Sequence, residues 1–426
     1  MTTAADTKEL TAKGQAARAA ARKLARLSTG VKDQALANIA EALKGREEEI
    51  LAANTKDMQA GKEKGLSEAL LDRLMLDALR LQGMAEDVLS VAALPDPVGE
   101  TFDQRTLPNG LQVGRRRVPL GVIGAIYESR PNVTVDISVL CFKSGNAVIL
   151  RGGSEAIHSN TVLAQVVRDS IVKAGAPQDA VQFVDSPDRA LVEQMLSMKE
   201  YIDLMIPRGG ADFIRFVGAR AQMPAITGGV GVCHTYVDKD ADVENAVAIA
   251  FNAKVQRPTV CNALDTLLVH SEVAPTYLPA IAQEWARAGV EMHCDLRALS
   301  ILGHSEMSNL KPATDDDWGT EFLSLTAAVK VVDSLDEALE HIEQYGSGHS
   351  EAIITEDYSK AMRFLDDVDA AAVFVNASTR FTDGSQFGLG AEVAISTNKM
   401  HARGPMGLRE LTSYKWTVLG TGQVRR

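Results

Sequence analysis

Apolar residues recur at helical spacing through the first 95 residues of the chain. Segments 31–45 and 67–94 place these residues on one face and therefore predict amphipathic helices. The stretch before them, rich in Ala, Lys and Arg, continues into the first segment without a break and predicts a surface helix. Asp6 and Glu9 argue against a transit peptide, which is poor in acidic residues.

Beyond residue 120 the pattern changes to short apolar runs that alternate with helical segments. The runs at 121–128, 147–151, 180–185 and 202–207 are continuous, which is typical of strands buried on both faces. Strands that alternate with helices over short connections predict a parallel, doubly wound sheet. We therefore expect an α/β domain in this part of the chain.

The second half of the chain carries another alternating block. Its apolar runs, among them 263–270, 326–333 and 371–376, predict strands with helices between them. Outside both blocks, Asn109-Gly110 joins two extended runs, which is a strong signal for a β-hairpin, and the C-terminal tail favours strand. The chain is thus predicted to be an α/β protein with two domains and a small additional β element.

Composition narrows the range of functions. The chain has 426 residues, 46% of them hydrophobic, which is enough for two or three domains with buried cores. Its 44 Lys and Arg residues against 56 Asp and Glu residues give a net charge of −12, which argues against nucleic acid as a partner. No apolar run approaches the roughly 18 residues of a membrane-spanning helix, and we expect a cytoplasmic protein.

One cysteine of four lies in an unusual place. The four are Cys141, Cys233, Cys261 and Cys294. Their spacing predicts neither a metal site nor a disulfide framework. The helix that runs to Lys254 must end before Arg257-Pro258, because proline disfavours helix at the preceding residue, so Cys261 falls in a loop before a strand. Lys254 and Arg257 would favour a thiolate there, whereas a packing role is the alternative.

Two strand-to-helix turns contain paired glycines, in "ILRGGSEAIHSN" and "IPRGGADF". Backbone N–H groups in such turns can approach the phosphates of a nucleotide, although neither string is a GxGxxG fingerprint and a plain tight turn stays open. Arg151 would pair with a 2′-phosphate, which favours NADP over NAD. The candidate cofactor residues are Arg151, Gly152, Gly153, Ser154, Gly209 and Gly210.

Asn132 follows a predicted strand and a proline in "YESRPNVT". An amide at the carboxyl end of a strand can donate a hydrogen bond to a developing oxyanion. The alternative is that Asn132 caps the helix that follows. Glu321, at the end of an acidic loop, is a further candidate, whereas His234 and His349 are more typical of structural histidines.

Five strings carry a resemblance to a known family: "YESRPNVTVD", "LRGGSEA", "RPTVCNALDTLLVH", "VNASTRFTDG" and "ARGPMGLREL". The chain resembles the aldehyde dehydrogenase superfamily over most of its length, and these strings look like its gamma-glutamyl phosphate reductase branch. The resemblance implies two doubly wound parallel-sheet domains plus an arm of a β-hairpin and the C-terminal segment. The implied parts are a dinucleotide-binding domain at 1–99 and 118–229, a catalytic domain at 230–401, and an oligomerisation arm at 100–117 and 405–426.

The same resemblance implies roles for individual residues. Cys261 would be the nucleophile, and Asn132 with the backbone amide of Cys261 would form the oxyanion hole. Arg151 would contact the adenosine ribose or its phosphate, and Glu321 the nicotinamide ribose. The implied reaction is the NADPH-dependent reduction of L-glutamyl 5-phosphate to L-glutamate 5-semialdehyde through a thioester, in proline biosynthesis. The implied partners are copies of the chain and a glutamate 5-kinase.

Position and charge suggest three substrate-binding arginines. Arg130 and Arg257 are candidates for the substrate phosphate, and Arg380 for its α-carboxylate. Ile226 stands where the hydrolytic members of the superfamily carry a water-activating Glu, which favours a reductase over an aldehyde-oxidising dehydrogenase. A third possibility is a protein that keeps the fold but has lost catalytic activity and serves as a binding or structural protein. It predicts decay of the site, whereas Cys261 and its predicted partners are present.

Overall fold

The computed structural model describes residues 4–228, 230–303 and 309–425. Gly229, which follows Ile226 in the predicted junction motif, lies outside the described residues, as do the two ends of the predicted domain ranges. The chain divides into two compact units. The first comprises Met1–Thr227, Gly388–Ala394 and Met406–Arg426, and the second comprises Gly228–Phe387 and Ile395–Pro405.

Five helices open the first unit. They are α1 (Ala4–Leu24), α2 (Thr29–Gly45), α3 (Glu47–Glu63), α4 (Glu68–Leu74) and α5 (Ala78–Ala93). The predicted unbroken N-terminal surface helix is wrong in two respects, because the chain turns between α1 and α2 and α1 buries Leu10 and Leu24. The predicted helix at 67–94 is also interrupted, since Asp77 accepts a hydrogen bond from the backbone N–H of Arg80 and starts a new helix there.

The first unit is built on a four-stranded parallel sheet. Strands β1 (Thr101–Thr106) and β2 (Gln112–Pro119) come first along the chain and belong to a separate sheet. The strands of the four-stranded sheet and the helices between them are β3 (Val122–Tyr127), α6 (Asn132–Lys143), β4 (Ala147–Gly152), α7 (Ile157–Lys173), β5 (Val181–Phe183), α8 (Ala190–Ser197), β6 (Leu204–Arg208) and α9 (Ala211–Arg220). The strand order is β5-β4-β3-β6 and all pairs are parallel. The order reverses at β3, so the carboxyl ends of β3 and β6 flank the usual ligand crevice of such sheets.

The second unit is built on a seven-stranded parallel sheet in the order β10-β9-β11-β8-β7-β12-β13. Its elements are β7 (Cys233–Val237), α10 (Val243–Val255), β8 (Leu264–His270), α11 (Ala274–Arg287), β9 (Glu291–Cys294), α12 (Leu296–Leu302), β10 (Leu310–Pro312), β11 (Thr326–Val332), α13 (Leu335–Tyr345), β12 (Ser350–Ile354), α14 (Tyr358–Asp367), β13 (Ala372–Val375), β14 (Ile395–Ser396) and β15 (Gly404–Pro405). The last two strands form a separate antiparallel pair. The predicted α/β class with two parallel sheets is confirmed.

Helix α10 leads into the cysteine loop and is fixed by its small residues. Ala246, Ala250 and Ala253 are fully buried on one face and pack in the core of the second unit beside Tyr277 and Trp285 of α11. Small side chains allow close approach of the helix to its neighbours, and the buried aromatic rings supply apolar area. The end of α10 is thus held firmly where the chain turns toward β8.

The predicted hairpin is confirmed and belongs to a three-stranded antiparallel sheet. Strands β1 and β2 pair around Asn109-Gly110, where Gly110 adopts a positive φ of 84°. Strand β16 (Thr412–Leu419) pairs with β2 along its full length. Within residues 4–228, 230–303 and 309–425, no helix is long and apolar enough to cross a membrane.

Candidate active site

Cys261 lies between α10 and β8, at the amino edge of the seven-stranded sheet. It is partly exposed, whereas the other three cysteines are buried. Burial raises the pKa of Cys294 to about 12 and raises the pKa values of Cys141 and Cys233 as well. Because the thiolate is the reactive form of cysteine, these three sulfur atoms are poor nucleophiles. Cys261, by contrast, is not enclosed in the core.

The carbonyl group of Cys261 is fixed by two residues near the start of β7. The thiol of Cys233 donates to the Cys261 carbonyl oxygen at 3.2 Å. A Cβ atom added to Gly231 would lie 1.5 Å from the same oxygen, so this position tolerates only glycine. The backbone N–H of Gly231 donates to Glu321 Oε1 at 2.9 Å. The loop that carries Cys261 therefore packs directly against the chain that enters β7.

The residue after the cysteine is anchored as well. Asn262 Nδ2 donates to the carbonyl oxygen of Thr382 at 2.9 Å, and Thr379 Oγ1 donates to the carbonyl oxygen of Asn262 at 2.8 Å. The guanidinium of Arg380 donates to Asn262 Oδ1 and, at 2.8 Å, to Gln256 Oε1. These contacts anchor the loop at the residue after Cys261.

Two arginines give the neighbourhood of Cys261 a positive potential. Burial lowers the pKa of Arg380, the nearby Arg257 guanidinium lowers it further, and the sulfur of Cys261 acts in the opposite direction. Arg257 itself is exposed. A cation such as Arg380 within electrostatic range of a thiol favours the ionised form of that thiol, and the two arginines together can attract an anionic substrate.

Lys254 contributes less to this potential than its place in the sequence suggests. Its side chain is fully buried, and its Nζ lies 3.6 Å from Asp265 Oδ1. Burial lowers the pKa of Lys254 and raises that of Asp265 to about 7. The ammonium group of Lys254 is thus paired with the carboxylate of Asp265. Burial also raises the pKa of Glu321, against the effect of the Gly231 N–H.

In the first unit, Asn132 is the first residue of α6 and not its cap. The N-cap is Pro131, which makes no side-chain capping bond. Asn132 Nδ2 donates instead to Asp136 Oδ2 at 2.8 Å. In the turn before Arg130 and Asn132, Ser129 adopts a positive φ of 46°, a strained conformation for serine. Backbone strain of this kind occurs at many active sites, which agrees with the prediction for Asn132.

The two glycine turns lie on either side of β3. Tyr127, the last residue of that strand, pairs with Gly152 on one side and with Arg208 on the other. The predicted cofactor residues of the first unit are thus brought to one edge of its sheet. Arg208 lies at the same edge and was missed by the sequence analysis, although it directly precedes the predicted Gly209.

At three of the four predicted glycines an added Cβ atom would meet a neighbouring side chain, which at Gly153 and Gly209 is the movable end of a glutamate. A Cβ atom at Gly152 would meet Asn160 Nδ2 at 2.1 Å, one at Gly153 the Glu155 carboxylate at 2.1 Å, and one at Gly209 the Glu128 carboxylate at 2.6 Å. A Cβ atom at Gly210 would meet no atom within 4 Å. Of the four, Gly210, directly before α9, borders open space. Ser154 begins a short 3-10 turn that ends at Ala156.

Arg151, the residue before the end of β4, has part of its hydrogen-bonding capacity unused. Its Nη2 donates to the carbonyl oxygen of Pro187 at 3.2 Å, while its buried Nε has no partner in the part of the chain that the structure describes. Burial lowers the pKa of Arg151, and the cation of Arg189 lowers it further, against the carboxylate of Glu155. A partly unsatisfied cation at a sheet edge is a suitable phosphate ligand. No metal-binding group of three or more His, Cys, Asp or Glu occurs among the described residues.

Comparison with known proteins identifies the relatives of this chain. A family model described as "Aldehyde dehydrogenase family" matches residues 1–298. A protein of Dehalococcoides mccartyi named gamma-glutamyl phosphate reductase is 61% identical over 98% of this chain and 98% of its own length. A protein of the same name from Heliobacterium modesticaldum is 56% identical over 98% and 99% of the two chains.

Solved structures agree with this result. The crystal structure of gamma-glutamyl phosphate reductase from Thermotoga maritima is 48% identical, covers 98% of this chain and 100% of its own, and superposes with a TM-score of 0.95. An acetylating aldehyde dehydrogenase from Geobacillus thermoglucosidasius, 18% identical over 99% and 98% of the two chains, has a TM-score of 0.69 and shares the fold.

Proposed function

Because this chain belongs to the aldehyde dehydrogenase family, within its gamma-glutamyl phosphate reductase branch, we propose that it reduces L-glutamyl 5-phosphate. The products are L-glutamate 5-semialdehyde and phosphate, and the reaction serves proline biosynthesis. The observation that carries the proposal is the partly exposed Cys261, fixed by its backbone and lying near Arg257 and Arg380. This arrangement provides an activated nucleophile for an anionic acyl donor.

Cys261 attacks the acyl carbon of the substrate. An acyl phosphate is a mixed anhydride, so the thiolate forms a C–S bond while the C–O bond to phosphate breaks and phosphate leaves with the electron pair. The thioester that results on Cys261 is easier to reduce than a carboxylate. We assign the departing phosphate to Arg130 and to Arg257, which is an exposed residue, and we assign the α-carboxylate to Arg380.

The carbonyl oxygen of the substrate becomes negative during attack and needs hydrogen-bond donors. We assign this role to Asn132 Nδ2 and to the backbone N–H of Cys261. The contacts of Gly231 and Cys233 with the Cys261 carbonyl support the second donor, because they restrict the backbone orientation of the cysteine. Donors that are already oriented cost no reorganisation during the reaction.

Ile226 supports a reductase over an aldehyde-oxidising dehydrogenase. Its side chain is buried in the first unit, and it is apolar where hydrolytic family members place a general base. An isoleucine cannot accept a proton from water, so it cannot promote hydrolysis of the thioester on Cys261. The acyl group is thereby preserved for reduction.

Membership of the family implies a nicotinamide cofactor, which supplies the hydride for reduction of the acyl carbon. The residues at the carboxyl edge of the first sheet fit such a group, because the buried Nε of Arg151 has no partner among the described residues and Gly210 borders open space. We assign NADPH as this cofactor, with Arg151 on the 2′-phosphate and Glu321 on the nicotinamide ribose. Glu321 Oε1 already accepts the Gly231 N–H, so Oε2 is the oxygen assigned to the ribose.

Replacement of Arg151 with Gln should raise the KM for NADPH by about 10- to 100-fold, since a hydrogen bond to a charged group contributes about 1.5–3 kcal/mol. The KM for NADH should change much less, because NADH lacks the 2′-phosphate. Initial rates with both cofactors measure the two constants. Arg189→Gln is the matched control, and its effect should be smaller because Arg189 is exposed. An equal increase for both cofactors would contradict the assignment.

The reaction run in reverse tests the proposed function directly. NADPH formation from glutamate 5-semialdehyde and NADP should require inorganic phosphate, because phosphate is the acceptor that releases the acyl group from Cys261. The rate should fall to background when chloride replaces phosphate at equal ionic strength. Full-rate NADPH formation without phosphate would identify an aldehyde-oxidising dehydrogenase instead.

A further inference from the structure

Helix α6 places a carboxylate one turn after Asn132. Residues four apart lie on the same face of a helix, and Asn132 Nδ2 donates to Asp136 Oδ2 at 2.8 Å. An ionised carboxylate can only accept hydrogen bonds. In its ionised form, Asp136 therefore selects the amide orientation in which nitrogen, and not oxygen, faces it.

The surroundings of Asp136 make this hydrogen bond important to both partners. Asp136 is only partly exposed, and its loss of hydration raises its pKa to about 7, against the effect of the Asn132 donor. Asp87 of α5 raises the pKa further, while Arg208 at the end of β6 lowers it. A carboxyl group that has lost part of its hydration is stabilised by a donor that is held in place. The Asn132 amide is that donor.

The side-chain amide of asparagine has a broad, roughly two-fold torsional preference, so by itself it presents nitrogen or oxygen to a ligand. An amide oxygen aimed at the reacting carbonyl would repel the developing oxyanion. The amide nitrogen carries two hydrogens, and one of them bonds to Asp136. With the torsion fixed in this way, the second hydrogen has a defined direction.

We propose that Asp136 is a positioning residue that orients the Asn132 amide for donation to the oxyanion of the substrate. This inference rests on the proposed function, and it adds a residue that acts on the reaction only through Asn132. Asp136 does not touch the substrate in this assignment. Its contribution is to remove the unproductive orientation of the amide before the substrate arrives.

A double-mutant cycle separates this role from a structural one. Asp136→Leu, which removes the acceptor, should lower kcat by about 10- to 100-fold, less than the roughly 10²- to 10³-fold expected when an oxyanion-hole donor is lost. KM should change little, because ground-state binding does not use the oxyanion. Asp136→Asn keeps an oxygen acceptor at nearly the same size and should retain most of kcat.

The decisive comparison is made in the Asn132→Ala background. If Asp136 acts through Asn132, Asp136→Leu should lower kcat there by less than about twofold, so the two losses are not additive. Additive losses would overturn the proposal, as would full kcat for Asp136→Leu or for Asn132→Ala alone. An equal loss in Asp136→Asn and Asp136→Leu would also overturn it, because the acceptor would then be irrelevant.

Two further measurements keep the outcomes distinct. The rate at which iodoacetamide alkylates Cys261 should be the same in all variants, and thermal melting shows whether each one folds. Should Asp136→Leu fail to fold, Asp136→Ser, which is shorter and cannot reach the amide, takes its place in the cycle. The phosphate requirement of the wild-type reverse reaction is independent of these variants. Its failure would refute the proposed function, whereas additivity in the cycle refutes only the role of Asp136.

Discussion

Cys261→Ser is expected to abolish turnover in both directions, with kcat reduced by about 10⁴-fold or more, in line with the loss of other nucleophiles that form covalent intermediates. Serine preserves the shape of the side chain, but its hydroxyl is far less acidic and far less nucleophilic than a thiol. No thioester can form, so neither phosphate release nor NADPH oxidation should exceed background. Cofactor binding should persist, because Cys261 lies in the second unit. The residues predicted to bind the phosphates of the cofactor, among them Arg151 and Gly210, lie in the first unit.

No other sulfur atom can replace Cys261. Cys141, Cys233 and Cys294 are buried, and burial raises the pKa of each. Iodoacetamide near neutral pH should therefore modify Cys261 selectively in the wild type, and peptide mass spectrometry identifies the site. Cys233→Ser is the matched control. Its hydroxyl can still donate to the Cys261 carbonyl, so labelling of Cys261 should continue.

Phosphate release and NADPH oxidation measure the loss, and a cofactor-induced shift in melting temperature measures retained binding. Turnover in Cys261→Ser within about tenfold of wild type would exclude a covalent route through this residue. Loss of the melting shift as well would mean that the substitution damages more than the nucleophile. Selective labelling of Cys233 would contradict the burial on which the argument depends.

Most of the first sheet could be predicted because its strands are continuous apolar runs. The run at 121–128 became Val122–Tyr127, and the run at 147–151 became Ala147–Gly152, each within two residues. Burial on both faces leaves an unmistakable pattern in such strands. The hairpin was predictable for a different reason, since Asn-Gly favours the positive φ that Gly110 adopts.

Strand β7 was missed because its polar residues break the apolar pattern. His234 and Thr235 are fully buried within Cys233–Val237, and His234 Nδ1 lies 3.0 Å from Glu351 Oε2. The partner that makes burial possible comes from β12, far along the chain. Local periodicity contains no information on such a pairing, so the strand becomes visible only in the folded structure.

The candidate site shows the same division. The position of Cys261 in a loop could be predicted from Pro258. Asn132 could be predicted as a candidate oxyanion donor because it follows a strand. The sequence analysis overrated Lys254, because proximity in sequence does not reveal that its ammonium faces Asp265. Asp136 could have been found, since its spacing from Asn132 is readable in the sequence. The predicted oligomerisation arm and kinase partner stay predictions, because both involve a second chain.

Gly231 is a residue that no sequence pattern singled out, and its replacement should have a large effect on the rate. In Gly231→Ala, the new Cβ atom would lie 1.5 Å from the carbonyl oxygen of Cys261, 2.4 Å from its carbonyl carbon and 2.9 Å from its Cα. These are backbone atoms, so no side-chain rotation relieves the clash. The cysteine loop must move, or the chain entering β7 must move away from it.

A displacement of about 1 Å at a reacting group can reduce the rate by about 10²-fold, so Gly231→Ala should lower kcat by at least that factor. The same shift disturbs the bond from the Gly231 N–H to Glu321, so the KM for the cofactor should rise as well. Steady-state kinetics measure both effects, and the alkylation rate of Cys261 reports displacement of the sulfur. Overpacking of this kind typically costs about 1–3 kcal/mol of stability, which thermal melting measures.

Gly83→Ala provides the matched control for Gly231→Ala. Gly83 lies within α5, and an added Cβ atom would meet nothing within 4 Å. Alanine there should leave kcat unchanged and stabilise the protein by about 0.5–1 kcal/mol, the usual gain for glycine to alanine inside a helix. Wild-type kcat and alkylation rate in Gly231→Ala would show that the nucleophile does not depend on this contact. A slower Gly83→Ala enzyme would show instead that the assay responds to substitutions remote from the cysteine.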